Sequence, residues 1–175
     1  MDRSSKTRFT NRNKIRTAQG WSWLTVPLKG TSRSDLCPIA QLQINADHPW
    51  KIKHLKAIHG SYSCSPFFAS HYPFFEDMYG QDWGNLNQLL NYSTSYFINQ
   101  LSINVNSMRS SLMSPSLKKD ALILELCQKV GATCYLSGPF GRDYLNPDDF
   151  DRAGIELRFH DYSHPVYKQA FDGFE

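Results

Sequence analysis

The change in hydrophobic periodicity near residue 102 constrains the fold of this chain more than any other feature. Apolar side chains recur at helical spacing from Trp50 to Leu101, whereas residues 102 to 159 alternate between short strand-like and helical runs. Alternation of strands and helices favours a parallel sheet with right-handed crossovers. We therefore expect an α/β fold, with a mostly parallel sheet, flanking helices and a helical middle segment.

Three amphipathic helices are predicted in that middle segment. The first spans Trp50 to Tyr62, the second begins near Pro66 and should bend or break at Pro73, and the third covers Asn85 to Leu101. Strands rich in aromatic and β-branched residues are predicted ahead of the helices, at residues 20 to 28 and 41 to 45.

The remaining strands are predicted in the second half of the chain, at residues 102 to 108, 132 to 136 and 155 to 159. A helix between the first two of them should begin at Ser114 or Pro115, run to Val130 and stop at Gly131. We expect these three strands to be parallel neighbours, with this helix packed on the sheet.

Length and composition fit one domain over residues 1 to 175, because 175 residues with 41% apolar side chains can bury one core but hardly two. No apolar run approaches the roughly 20 residues of a membrane span. The cysteines lie far apart without CxxC pairs, as reduced thiols do. We expect a cytoplasmic protein without a membrane span.

Positive charge is concentrated at the start of the chain. Residues 1 to 16 contain one acidic residue, Asp2, and six basic residues: Arg3, Lys6, Arg8, Arg12, Lys14 and Arg16. Such a cluster either binds the phosphates of nucleotides, lipid carriers or nucleic acid, or forms a solvated basic arm. The second interpretation is the more common one.

Polar loops follow each of the predicted parallel strands, and the carboxyl ends of such strands share one edge of a sheet. The loop after residue 136 contains Gly138, Gly141 and Arg142, which together suit an anion. It is neither a Walker A loop nor a dinucleotide fingerprint. The alternative is an ordinary tight exit from a strand.

His164 precedes Pro165 in the last of these loops, where Asp161 is near enough in sequence to orient the imidazole. The pair is a candidate general base, and a histidine bonded to local backbone is the alternative. The spacing of His54 and His59 does not match that of metal ligands on a helix. We therefore expect no metal and no cofactor.

The segments FTNRNKIRTAQGWSWLTVPLKG (Phe9 to Gly30), YLSGPFGRDYL and FHDYSHPVYKQ resemble the WbqC-like family. The resemblance implies a bacterial protein of O-antigen or other surface-polysaccharide biosynthesis, and transfer of glycine or another amino acid onto a sugar. Its motif positions here are Asn11, Arg12, Lys14, Gly138, Gly141, Arg142, Asp143, Tyr144, His164, Pro165, Tyr167 and Gln169.

Members of that family usually open with a strand and loop of the type His-Gln-Pro and end in a further apolar helix. Neither pattern is found in this sequence. The resemblance therefore predicts that the domain is incomplete at both ends, that residues before Phe9 are poorly ordered, and that apolar surface is exposed where the ends would pack.

The favoured function is a transferase that acylates an amino group on a nucleotide- or lipid-linked sugar. Arg12 and Arg142 would hold phosphate or carboxylate, with Lys14 beside them, and His164 would take the amine proton. Sugar hydroxyls would be bound by Tyr144, Tyr167 and Gln169. We expect Arg142, Tyr144 and His164 to face one cleft.

The alternative function is a non-catalytic binding or assembly protein, with a nucleotide sugar, RNA or another protein as partner. Interleaved basic and aromatic side chains do bind single-stranded nucleic acid. The pI of about 8.6 is below the strongly basic range of such domains. The composition therefore argues against nucleic acid, and the favoured transferase hypothesis implies a small-molecule substrate.

Overall fold

The computed structural model describes residues 10–30 and 38–171. The chain forms two compact units, of which the first contains the described residues up to Asn104 together with residues 167–171. The second unit spans Val105–Val166. The residues before Phe9, for which we expected poor order, lie outside the described residues.

The first unit consists of a β-hairpin followed by three helices. Its elements are β1 (Arg12–Thr17), β2 (Gly20–Thr25), α1 (Trp50–Tyr62), α2 (Phe68–Gly80) and α3 (Leu86–Gln100). The second unit contains α4 (Lys119–Lys129), β3 (Cys134–Ser137), α5 (Pro147–Arg152) and β4 (Glu156–Phe159). The three helices predicted for the middle segment are confirmed, and α2 continues through Pro73.

The basic residues from Arg12 onward form a strand, not a solvated arm. β1 pairs with β2 in antiparallel register from Arg12↔Thr25 to Thr17↔Gly20, which leaves a two-residue turn. Gly20 has a φ of 121°, a conformation that favours glycine. Alternation along the strands places the cations of β1 on the same face as the tryptophans of β2.

The core of the first unit lies between the helices and the end of the hairpin. Its buried side chains are Ile44, Trp50, Ile58, Met78, Tyr79, Leu86 and Leu89. Leu24 and Val26 of the hairpin segment pack against this cluster. α3 begins at Leu86 because the side chain of Asn85 accepts the backbone N–H of Asn87 and so caps the helix.

The prediction of a mostly parallel sheet is wrong. Within the described residues there are two sheets of two strands each, β1 with β2 antiparallel and β3 with β4 parallel. Residues 41 to 45 make only isolated bridges, Leu28↔Ile44 and Gln43↔Asn85. Residues 103 to 109 are outside regular structure, and Val105 is 57% exposed. A strand needs a pairing partner, and sequence alternation alone does not supply one.

In the second unit, the predicted parallel pairing of the last two strands is confirmed. β3 and β4 pair in parallel from Cys134↔Glu156 to Ser137↔Phe159. Phe150 of α5 lies between these strands in sequence, is 2% exposed and stacks on Tyr135 at 5.7 Å between ring centroids. Together with Cys127, Leu145 and Ile155 it forms the core of this unit.

α4 begins at Lys119, later than predicted. The carboxylate of Glu125 accepts the backbone N–H groups of Ser116 and Leu117, at 3.0 and 2.8 Å, and holds that segment as a loop ahead of the helix. Ser114 has a positive φ of 47°, which also excludes a helix there. None of the helices described is both long and apolar enough to cross a membrane.

Candidate functional site

A cleft of about 420 Å³ lies in the first unit, lined by the β-hairpin and all three helices. Its apolar lining includes Leu24, Val26, Ile58, Phe75, Met78, Leu86, Leu89, Leu90 and Phe97. Its polar lining includes Asn11, Arg12, Asn13, Lys14, His54, Tyr62, Tyr79 and Ser93. Apolar walls with a few polar groups, in a space of this size, are typical of small-molecule sites.

His54 is the buried polar residue of this cleft, with 6% of its surface exposed. It lies on α1 one turn from Trp50 and one turn from Ile58, which places the imidazole on the buried face of the helix. Its Nε2 is 3.1 Å from the backbone oxygen of Thr25, and its Nδ1 is 3.1 Å from the Tyr79 hydroxyl. The ring is therefore held between the end of β2 and α2.

Burial determines the protonation of this pair. It lowers the pKa of His54 below 6.5, against a smaller opposing effect of the bond to Thr25. Burial also raises the pKa of Tyr79 well above 10.0. Trp50 packs edge-on against both rings, at 5.2 Å from His54 and 5.7 Å from Tyr79. Both groups are consequently neutral at pH 7.

The cationic side chains of β1 form cation–π contacts with the tryptophans of β2. Lys14 Nζ lies 3.9 Å from the ring centroid of Trp21 and 5.5 Å from that of Trp23. The Arg12 guanidinium lies 4.3 Å from the Trp23 centroid. Contacts of this kind stabilise by about 0.5–1 kcal/mol each at exposed sites and leave the charge in place. The strand that lines the cleft thus carries two ordered positive charges.

Asn11 has a structural role in the hairpin. Its side-chain N–H donates to Val26 O at 2.8 Å, and its backbone carbonyl oxygen accepts the Val26 N–H at 2.8 Å. The backbone N–H of Arg16 donates to the hydroxyl of Tyr62 at 2.8 Å. These bonds fix the position of β1 relative to β2 and α1.

The second unit brings together the loops that follow β3 and β4. The N–H of His160 donates to Ser137 O at 2.7 Å, which joins the two strand ends. The Arg142 guanidinium lies 4.4 Å from the ring centroid of Phe159, the last residue of β4. Arg142 belongs to a short 3-10 helix, Pro139–Asp143, that follows β3 directly. The expected meeting of these two loops at one edge is therefore present.

The family model of the WbqC-like protein family matches residues 3–175 of this chain. The chain belongs to the WbqC-like protein family. It is 32% identical to the uncharacterized protein Rv1507c of Mycobacterium tuberculosis over 177 residues, covering 98% of this chain and 74% of that relative. No solved structure is a significant match.

The WbqC-like motif positions fall in both units. Asn11, Arg12 and Lys14 line the cleft of the first unit, and Tyr167 and Gln169 also belong to that unit. The others lie in the second unit, at Gly138, Gly141, Arg142, Asp143, Tyr144, His164 and Pro165. A common cleft for Arg142, Tyr144 and His164 stays a prediction.

The histidine loop of this WbqC-like protein has a defined local geometry. His164 Nδ1 lies 2.9 Å from Pro165 O, and its ring meets that of Tyr162 edge-on at 5.9 Å. A carbonyl oxygen only accepts, so Nδ1 is the donor in this contact. The backbone carbonyl of Pro165 contributes to the orientation of the imidazole, and orientation by Asp161 stays a prediction. His164, Asp161 and Tyr144 are exposed.

The two glycines of the same loop differ in their surroundings. A Cβ atom at Gly138 would meet open space. At Gly141 it would lie within 2.0 Å of Ser137 Oγ, so packing inside the loop accounts for that glycine. The tight strand exit that we gave as the alternative is therefore present, and anion binding by the loop is a separate proposal.

Sequence reasoning missed His54 and Tyr79 as site residues. We considered His54 only as a metal ligand, and within the described residues no group of three or more His, Cys, Asp or Glu side chains could hold a metal ion. The available signal was the spacing of Trp50, His54 and Ile58, which puts a histidine on the apolar face of α1. A buried polar side chain needs partners, and these came from β2 and α2.

Proposed function

We propose that this WbqC-like protein is a cytoplasmic transferase of bacterial surface-polysaccharide biosynthesis. It attaches an amino-acid or acyl group to the amino group of a sugar linked to a nucleotide or a lipid. The observation that carries the proposal is the cleft of the first unit, where apolar walls, a buried histidine and the strand β1, which carries Arg12 and Lys14, line one space of about 420 Å³. Family membership supports the reaction class through the resemblance described above.

The two cations suit the phosphates of a linked sugar. Arg12 provides N–H donors in a planar fork that matches phosphate, and Lys14 provides a compact charge. Their stacking on Trp23 and Trp21 reduces the conformational freedom that binding would otherwise have to remove.

Further ligand contacts are proposed in the second unit. Arg142 would bind a phosphate or carboxylate, and His164 with Asp161 is the candidate general base of this unit. Tyr144 would bind sugar hydroxyls in this unit. Tyr167 and Gln169 are proposed to bind sugar hydroxyls in the first unit, taken by itself. The geometry that supports the contacts in the second unit is the junction of the β3 and β4 loops at one edge, with Arg142 against Phe159.

The binding experiment is isothermal titration calorimetry with UDP-glucosamine, UDP and free glucosamine. UDP-glucosamine should bind, and its affinity should fall as salt is raised. Lys14→Gln should weaken it about two- to fivefold, as expected for an exposed charge. Lys56→Gln is the matched control, because Lys56 is exposed on α1 and does not line the cleft. No binding, or equal losses in the two variants, would exclude this ligand class for the cleft.

The same titration with a short prenyl-diphosphate-linked glucosamine distinguishes a lipid-linked from a nucleotide-linked ligand. Arg142→Gln tests the proposed ligand contact in the second unit. Arg152→Gln is its control, because Arg152 forms an ion pair with Asp149 on α5. Weaker binding in Arg142→Gln alone supports the proposed contact.

Transfer itself is tested by mass spectrometry of the sugar after incubation with activated glycyl and acetyl donors. An added mass of one glycyl or acetyl group on the sugar nitrogen supports the transferase. Tight binding of UDP-glucosamine without any added mass, across both donor classes, would instead favour the alternative, a non-catalytic nucleotide-sugar-binding protein.

A further inference from the structure

We infer that His54 and Tyr79 form a proton-accepting pair in the cleft, which takes a proton from an amino or hydroxyl group of the ligand. The identity of that ligand rests on the proposed function. The direction of the hydrogen bonds does not, because it follows from the positions of His54, Tyr79 and Thr25 alone.

The hydrogen bonds of His54 have one possible direction when the ring is neutral. Thr25 O is a carbonyl oxygen and can only accept, so Nε2 carries the ring hydrogen. Nδ1 then accepts, and the Tyr79 hydroxyl donates to it over 3.1 Å. Because the Tyr79 proton is directed at His54, Tyr79 Oη presents lone pairs to a ligand. The pair therefore selects a ligand group that carries a hydrogen.

The neutral state of the pair is favoured by its surroundings. Burial lowers the pKa of His54 and raises the pKa of Tyr79. The other ionisable residues that line the cleft are Arg12, Lys14 and Tyr62.

A satisfied pair of buried polar groups is often only structural, and the cleft is what distinguishes this one. Both His54 and Tyr79 line the open space of about 420 Å³. Their geometry is fixed from three elements, since α1 carries His54, α2 carries Tyr79 and β2 supplies the carbonyl of Thr25. A proton acceptor that is both rigid and placed against a ligand space is suited to general-base chemistry.

In the transfer reaction, a proton of the ligand amine moves to Tyr79 Oη while the Tyr79 proton moves to His54 Nδ1. The electron pair of the amine nitrogen forms a bond to the carbonyl carbon of an activated acyl or aminoacyl donor. The leaving group of the donor departs with the electrons of the broken bond. The proton on His54 then returns through Tyr79 to that leaving group. An amide and a protonated leaving group result, and the pair regains its starting state.

The first test is long-range ¹⁵N–¹H NMR of the imidazole nitrogens in the free, full chain. The His54 signals are assigned by their loss in His54→Gln. We expect a neutral ring with its hydrogen on Nε2 at pH 7. A ring hydrogen on Nδ1 would make Tyr79 an acceptor from His54, and an imidazolium at pH 7 would leave no basic nitrogen. Either result overturns the inference, whatever the ligand is.

The second test uses Tyr79→Phe, which keeps the ring and removes the hydroxyl. It should weaken the binding of UDP-glucosamine about two- to tenfold, as expected for the loss of one hydrogen bond to the amine, and leave the affinity for UDP unchanged. Tyr72→Phe, on the same helix but outside the cleft lining, should change neither affinity. Equal effects of Tyr79→Phe on both ligands overturn the inference.

Transfer should fall about 100-fold or more in His54→Gln and in Tyr79→Phe. A rate that falls in His164→Gln and not in these two variants assigns the proton transfer to the second unit and overturns the inference. If the wild-type chain binds neither UDP-glucosamine nor the prenyl-diphosphate-linked glucosamine, the proposed function fails, whereas the NMR result still tests the hydrogen-bond direction of the pair.

Discussion

A Cβ atom added at Gly141 would lie 2.0 Å from Ser137 Oγ and 3.1 Å from Leu145 Cδ1. Ser137 is buried at the end of β3, and Leu145 belongs to the core of the second unit, so neither side chain can move away cheaply. Gly141→Ala should therefore destabilise the protein by about 1–3 kcal/mol, the usual cost of overpacking. Urea denaturation followed by circular dichroism measures this.

The control for that prediction lies three residues earlier in the same loop. Gly138→Ala adds the same methyl group where the structure has open space and an ordinary φ of −64°. It should leave the free energy of unfolding within about 0.5 kcal/mol of the wild-type value. The double variant Ser137→Gly with Gly141→Ala should recover part of the loss. Equal stabilities of the two alanine variants would contradict the packing account.

Leu86 is the most buried residue of α3 and anchors the core of the first unit. It is 0% exposed, whereas Leu101, just after the same helix, is 68% exposed. Leu86→Ala should cost about 2–5 kcal/mol of unfolding free energy, because it removes buried methyl groups and leaves a cavity. Leu101→Ala should cost less than about 0.5 kcal/mol. Chemical denaturation of both variants, monitored by tryptophan fluorescence, gives the two free energies of unfolding. Their difference measures how much the burial of Leu86 contributes.

His54 should make the protein sensitive to acid in a defined window. Its folded-state pKa is lower than the unfolded value of 6.5, so below pH 6.5 the unfolded chain gains a proton that the folded chain does not. The free energy of unfolding should therefore fall with pH from 6.5 down to the folded-state pKa, by at most about 1.4 kcal/mol per pH unit from this group. Above pH 6.5 this contribution is constant.

The measurement is urea denaturation across that pH range for the wild type and His54→Gln. The variant cannot titrate at this position and should lose this part of the slope. Tyr79→Phe keeps the buried imidazole, and because burial is the larger cause of its lowered pKa, the slope should remain. A slope that is the same in His54→Gln and the wild type would show that other groups produce the acid sensitivity.

The helices of the first unit could be predicted from sequence because their apolar spacing and their burial agree. Trp50 to Tyr62 was predicted to the residue, since Pro49 precedes it and Trp50 and Ile58 face the core. The strand expected at residues 102 to 108 does not form, and the apolar spacing of this segment could not show that. Its alternating side chains satisfy the local pattern, but pairing depends on a neighbour that only the folded chain reveals.

Candidate site residues could be proposed from the sequence only where local sequence determines their position. The glycine loop and His164 were identified from loop position, and β3 and β4 do bring their loops together at one edge. The His54–Tyr79 pair joins residues 25 positions apart through a hydrogen bond, with Thr25 a further 29 positions from His54. No local pattern encodes such a meeting, because it depends on how α1, α2 and β2 pack.

Glu125 should control the order of the loop that precedes α4. Its carboxylate accepts N–H groups from Ser116 and Leu117, and Lys129, one turn later, lies 3.4 Å away and donates to Met113 O at 3.0 Å. The bond from Ser116 is the largest cause that holds the pKa of Glu125 below 4.5. A neutral amide cannot accept this set of bonds as well, so Glu125→Gln should release the loop.

Hydrogen exchange measured by NMR gives the direct readout. At pH 7 the Ser116 and Leu117 amides should exchange about three- to tenfold faster, relative to their intrinsic rates, in Glu125→Gln than in the wild type, as expected when a charge-assisted bond is lost. In the wild type the protection should be complete above pH 4.5 and disappear as pH falls through the lowered folded-state pKa. Glu156→Gln removes a carboxylate that pairs with Arg158 on β4 and should leave both amides protected. Unchanged exchange in Glu125→Gln would mean that the loop is held by Lys129 and its carbonyl contacts, independently of the carboxylate.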